Sequence, residues 1–170
     1  MRQIAIGWKD KPEILELLKQ WVISDDSDVR VEAVRQIVTG WKHEVGILEL
    51  LKQWVISDDS DVRVEAVRQI VTGWKNESEI LELLKQWVVS NENSDVRSEA
   101  VKQIATGWKN EPGILELLKQ RVVSDESWQV RREAVQQLAT VWKERSETFE
   151  LLQQIVVSDR NSYVRREAVE

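Results

Sequence analysis

The dipeptide Val-Arg stands at 29–30, 62–63, 96–97, 130–131 and 164–165, and a tryptophan at 8, 41, 74, 108 and 142. One unit of 33 or 34 residues is therefore copied along the chain. No other feature restricts the fold as strongly, because a unit this short cannot bury its own apolar face and must stack on the next copy. Residues 29–61 and the following copy differ at few places, so the array is either a recent duplication or a designed consensus.

Each copy holds two helical patterns. In ILELLKQWV, residues 14–22, Ile14, Leu15, Leu17, Leu18, Trp21 and Val22 share one broad arc at helical spacing. In VRVEAVRQIVTGWK, residues 29–42, Val29, Ala33, Val34, Ile37, Val38 and Trp41 form a second arc, and Val31, Glu32, Arg35, Thr39 and Lys42 face away from it. The turn between them carries Asp26, Asp59, Asn93, Ser127 or Asn161, all favoured N-cap types. The one-residue change of period falls in this turn, and Pro12 and Pro112 suit the first position of a helix.

These patterns predict an all-α protein, a single repeat domain over 1–170 built as an α-solenoid of stacked antiparallel helix pairs. First helices are expected at about 14–23, 47–56, 80–89, 114–123 and 148–157, and second helices at about 29–42, 62–75, 96–109 and 130–143, with partial helices at 1–9 and 164–170. Residues 1–9 align with 34–42 and Glu170 with Arg35, so both ends fall inside a helix pattern, as in an excerpt of a longer array.

Composition narrows the function classes. At 170 residues and 42% hydrophobic the chain can build a core. Absence of cysteine removes disulfides and thiolate chemistry and agrees with a cytoplasmic setting. No stretch has the length of a membrane span, and the N-terminus lacks the apolar core of a signal peptide. Thirty acids against twenty-four bases, net −6, repel nucleic acid on average.

Periods of 33 and 34 also occur in ankyrin and tetratricopeptide repeats, but neither the TPLH turn of the one nor the Gly/Tyr/Ala/Pro pattern of the other is present. An apolar first helix, an acidic turn and then DVRxEAVxQI resembles the HEAT repeat, specifically its short, lyase-associated bacterial variety. The resemblance spans essentially the whole chain, and the arrays it is most similar to are attached to cyanobacterial signalling or defence NTPases of the NACHT type. It implies a right-handed solenoid acting as a sensor or partner-binding scaffold, the NTPase lying outside this chain. It also implies that Arg30, Arg63, Arg97, Arg131 and Arg165, each within an apolar arc, form a structural ladder with acids of the preceding turns. The acids in question are Asp25, Asp58, Glu92 or Asn91, Asp125 and Asp159.

Chemistry for catalysis is not assembled. The single histidine, His43, has no second His or Cys at metal spacing, and the recurrent Glu16, Glu49, Glu82 and Glu116 read as exposed surface carboxylates. Neither enzyme activity nor a cofactor or metal site is expected. The sharper candidate is the outward face of the second helices, where Arg35, Lys42, Arg68, Lys75, Lys102, Lys109, Arg132, Lys143 and Arg166 could line a concave groove, beside Glu32, Glu65, Glu99, Glu133 and Glu167. Its variable positions are those of Val31, Val64, Ser98, Arg132 and Arg166, and of Arg35, Arg68, Lys102, Gln136 and Glu170. The expected partner is another, acidic protein. The alternatives are nucleic acid, which the missing aromatic interleaving disfavours, and a designed consensus array without a natural partner. Interrupted end repeats also point to end-to-end self-association.

The tetrapeptide TGWK at 39–42, 72–75 and 106–109 ends a helix instead of following a strand, so it is not a phosphate loop. Val141 replaces its glycine in the last copy, which argues against a left-handed cap and for close helix contact. Its tryptophan is expected to seal one repeat against the next, and its lysine to sit favourably at the helix C-terminus.

Overall fold

The computed structural model describes residues 11–170, which form ten α-helices and, among the described residues, no strand. They are α1 (Pro12–Trp21), α2 (Ser27–Trp41), α3 (Ile47–Trp54), α4 (Ser60–Trp74), α5 (Ser78–Ser90), α6 (Ser94–Gly107), α7 (Ile114–Ser124), α8 (Trp128–Val141), α9 (Ser146–Ser158) and α10 (Ser162–Glu167). The partial helix expected at 1–9 lies outside the described residues. Helices α1–α4 belong to one compact unit and α5–α10 to a second, divided between Asn76 and Glu77.

In the first unit α2 packs on α1 and on α4, and α3 on α4; in the second, α6 packs on α5 and α8, and α8 on α7 and α10. Within each unit the second helices thus lie side by side, each carrying its first helix, which is the stacking of an α-solenoid. The turn residues fix where each second helix begins. Asp26 accepts the backbone N–H groups of Asp28 and Val29, Asp59 that of Val62, and Asn161 that of Tyr163. Asn93 and Ser127 occupy the same extended N-cap geometry without a capping side-chain bond.

Proline and glycine shape the other connections. Pro12 opens α1 as expected, but Pro112 lies in the preceding turn, because Gly113 takes φ +85° and α7 begins only at Ile114. Gly46 does the same before α3 with φ +89°. These two are the only positive-φ glycines among the described residues, so the glycines of TGWK at 40, 73 and 107 are ordinary helical ones. At Gly73 a Cβ would stand 3.4 Å from Val38 Cγ1, which marks the close passage of α4 along α2.

The core is narrower on the first helices than their broad apolar arc predicts. Leu18 of α1 and Val22, which caps its C-terminus, are buried, as are Ile47, Leu51 and Val55, Ile80, Leu84 and Val88, and Ile114, Leu118 and Val122 in the next three copies. Ile14, Leu15, Leu17 and Trp21 are only half-buried. A first helix is covered mainly by its own second helix, which seals one i, i+4 ridge and leaves its flanks open. Trp41 and Trp142 are buried, whereas Trp74 and Trp108 are half-buried, so the tryptophan seals some repeats and not others.

Thr148 of α9 stands where Ile14, Ile47, Ile80 and Ile114 stand in the other copies, is buried, and leaves its hydroxyl without a partner. Replacing it with valine keeps the shape and removes a stranded polar atom, so Thr148→Val should stabilise the chain by about 1 kcal/mol. Gly73→Ala should add about 0.5–1 kcal/mol, because the helix propensity improves and the new methyl meets Val38 at contact distance. Thermal unfolding followed by circular dichroism measures both.

Candidate interaction face

The five ladder arginines sit one turn into their helices, and each donates back to a backbone carbonyl of its own turn. Arg30 and Arg63 donate to the carbonyls of Ser24 and Ser57, both at 2.7 Å. Arg97, Arg131 and Arg165 donate to those of Asn91, Asp125 and Asp159 at 2.8–3.0 Å.

The acids lie in the following turn. Arg97 grips Asp125 with Nε and an Nη at 3.0 and 2.9 Å, and Arg131 grips Asp159 the same way at 2.8 and 3.0 Å. The expected pairing with the preceding turn is therefore corrected for these residues: a side chain pointing along the stack meets the next copy's acid.

Turn length decides which acid serves. In the longer turns the acid two residues before the N-cap, Asp125 or Asp159, also accepts the N–H of the N-cap residue, Ser127 or Asn161. In the shorter turn that place is Ser57, so the N-cap Asp59 takes the role and meets Arg30 through a single Nη at 2.7 Å. Arg30 Nε is left without a partner. One inserted residue thus converts a single-pronged contact, 16% and 30% exposed, into a bidentate one, 3% and 5% exposed at Arg131 and Asp159.

The expected basic face is partly consumed by the stack. Arg35 grips Glu65 of the next second helix at 2.8 and 3.0 Å, and Arg68 also approaches that carboxylate at 3.7 Å. Arg132 donates to Glu167 at 2.6 Å. The carboxylates hold Arg35 and Arg132 above the ordinary arginine value. The glutamates themselves do not face away as the helical wheel suggests: Glu65 is 1% exposed and Glu99 is also buried. Side-by-side packing of second helices covers this flank. Each glutamate accepts a bond from the glutamine one turn on, Gln36 to Glu32, Gln69 to Glu65, Gln103 to Glu99 and Gln137 to Glu133, at 2.6–2.8 Å. The recurrent Glu-x-x-x-Gln spacing carries that signal in the sequence.

The lysines of this face are exposed, and so is Arg166. Lys42 and Lys75 cap the C-termini of α2 and α4, Lys109 and Lys143 follow the ends of α6 and α8, and Lys102 projects from α6; all are exposed. His43 is exposed, and Glu16, Glu49, Glu82 and Glu116 each accept from the lysine three residues on at 2.7–2.9 Å. Among the described residues no His, Cys, Asp and Glu cluster could hold a metal, and no helix is long and apolar enough to cross a membrane.

Two features escaped the sequence. The first helices α7 and α9 leave two adjoining cavities of about 520 and 460 Å³ that share Val123, Ser124, Leu151 and Gln154. Trp128 stacks on Tyr163 with centroids 5.3 Å apart, and the Arg166 guanidinium lies 5.4 Å from the Tyr163 ring centre.

Residues 115–170, which run from α7 to the end of the chain, match the family of HEAT repeats. No curated protein matches the chain.

Two carboxylates give opposite pH responses. Burial, aided by the Glu99 and Glu167 charges and opposed by Gln137 and Lys102, raises Glu133 above the ordinary 4.5 of a glutamate. Its ionisation therefore costs stability at neutral pH, a cost removed as pH falls through the raised value and absent below about 4.5. Asp159 is lowered from 3.8: burial opposes this, but the Arg131 and Asn161 bonds and the Arg131 and Arg160 charges outweigh it. Its contribution is complete above 3.8 and lost as pH falls through the lowered value. Glu133→Gln should raise the melting temperature at neutral pH and converge with the parent chain in acid. Asp159→Asn should cost about 3–5 kcal/mol, since it leaves the buried Arg131 unpaired, and its deficit should shrink only in strong acid. The surface pair of Lys119 with Glu116 should be worth under about 1 kcal/mol. Denaturant unfolding across pH checks all three.

Proposed function

We propose that this HEAT-like repeat array is a non-enzymatic protein-interaction scaffold, a piece of the sensor or partner-binding region of a larger signalling or defence protein. Its partner-facing side is the lysine-bearing edge of the second helices. The observation that carries the reading is the division of labour among cations: Arg35 and Arg132 are spent on Glu65 and Glu167 between copies, whereas Lys42, Lys102, Lys109 and Lys143 stand in solvent along the same helices. Solvated ammonium groups at and near the helix ends suit an acidic protein surface. Nucleic acid is the weaker reading, because the guanidiniums that would clamp phosphates bidentately are already taken by carboxylates.

Charge reversal at Lys109 and Lys143 together should weaken capture of specific partners from cell lysate at least about tenfold while unfolding stays unchanged, since both stand in solvent beyond the ends of α6 and α8. Capture that survives this change would sink the lysine face. Duplex DNA should show no tight, steeply salt-dependent binding in fluorescence anisotropy.

A further inference from the structure

The turn and first helical turn of the five copies differ in charge along the chain. SDDSDVRV at 24–31 and at 57–64 carry three aspartates against one arginine. SNENSDVRS at 90–98 has two acids and one arginine, SDESWQVRR at 124–132 two of each, and SDRNSYVRR at 158–166 one aspartate against three arginines. The change is chemical as well as electrostatic. Trp128 stands where Ser27 and Ser60 stand, and Tyr163 where Asp28 and Asp61 stand.

At the last two copies this edge is a built surface. Trp128 and Tyr163 stack, Arg166 lies over the Tyr163 ring, and Arg160 is held in place by a 2.9 Å bond to the Glu126 carbonyl, with Tyr163 still 50% exposed. Aromatic and arginine side chains on such a patch are the types that anchor interfaces. Arg132 is neutralised by Glu167 and Arg166 has a solvated partner in Glu170 at 3.5 Å, so Arg160 and the exposed Arg166 are the cations it presents.

The first two copies carry the counterpart. Asp25, Asp28, Asp58 and Asp61 are exposed, and beside them stand Ile23 and Ile56, 83% and 72% exposed. One edge is acidic with protruding isoleucines, the other basic with a stacked aromatic pair. We infer that the basic aromatic edge of one chain docks on the acidic isoleucine edge of a second copy. The contact is heterologous, because the two edges it joins are different surfaces of the chain. Chains of net charge −6 repel at long range, and local attraction has to overcome that repulsion. Docking through turn edges is separate from the lysine face, and its failure leaves the scaffold reading standing.

Sedimentation velocity over a concentration series tests it. The parent chain should form concentration-dependent assemblies that dissociate as salt rises, whereas contacts limited by net repulsion would strengthen. Arg160→Glu with Arg166→Glu should weaken assembly at least about tenfold, as should Asp25→Lys with Asp58→Lys. An equimolar mixture of the two variants should recover association as a one-to-one complex, because the first keeps the acidic edge and the second the basic one. Trp128→Ser with Tyr163→Asp, which installs the residues of the first two copies, should abolish assembly without unfolding the chain. A parent chain monomeric at all concentrations, or a mixture that fails to recover assembly, overturns the inference. So does a monomeric chain that binds a polyglutamate peptide, an outcome that assigns the edge to a foreign acidic segment.

Discussion

A guanidinium at the start of the second helix, fully buried at Arg131, ties one copy to the next within a unit. Removing Arg131 from water would cost several kcal/mol if it stood alone. Two carbonyls of its own turn and both oxygens of Asp159 satisfy its donors and return that cost only when the next turn stands at the right place. Apolar ridges such as Ile114, Leu118 and Val122 bury area without caring strongly about register. The arginine does care, since its planar fork accepts a carboxylate in one orientation. Hydrophobic burial makes stacking favourable, and the polar contact adds a geometric condition to it.

The same economy explains why a strongly charged chain has so few charges to offer. Glu65 takes Arg35 and Gln69 together, Glu167 takes Arg132, and the first-helix glutamates are matched by lysines three residues on. Pairs of the last kind are solvated and contribute little, whereas the second-helix carboxylates lie between packed helices and are satisfied because they must be. Glu133 is less fully compensated, having a glutamine donor and like-charged neighbours, and its raised pKa records the imbalance. Charge left over for recognition is therefore concentrated at helix ends and at the turns.

Repeat copies that differ at few places show where difference has been admitted. Core positions hold Val, Ala, Ile or Leu throughout the second helices, while the turn edge passes from serine and aspartate to tryptophan, tyrosine and arginine. Thr148 and Arg121 break the pattern inside the first helices, and each leaves a buried polar atom unpartnered. Substitution at the edge meets solvent and costs little; a polar substitution on the packed side of a first helix strands a polar atom.

Much of the architecture was legible from periodicity alone. Period, helix count, N-cap positions and the ordinary conformation of the TGWK glycines all follow from local rules, because the 3.6-residue repeat and capping chemistry act within one helix. Amphipathic arcs, by contrast, overstate burial on the first helices and understate it at Glu65 and Glu99. A helical wheel marks which side of a helix is apolar but not how many neighbours cover it. The partner of each arginine was likewise misread, since the nearest acid in sequence, Asp125 for Arg131, lies in the preceding turn, whereas Arg131 grips Asp159 of the following one. Only the stack chose, by placing the following turn within reach and letting one inserted residue move the acid that receives the guanidinium. Local structure is written in neighbouring residues; pairing between copies depends on distances that arise only when the copies pack.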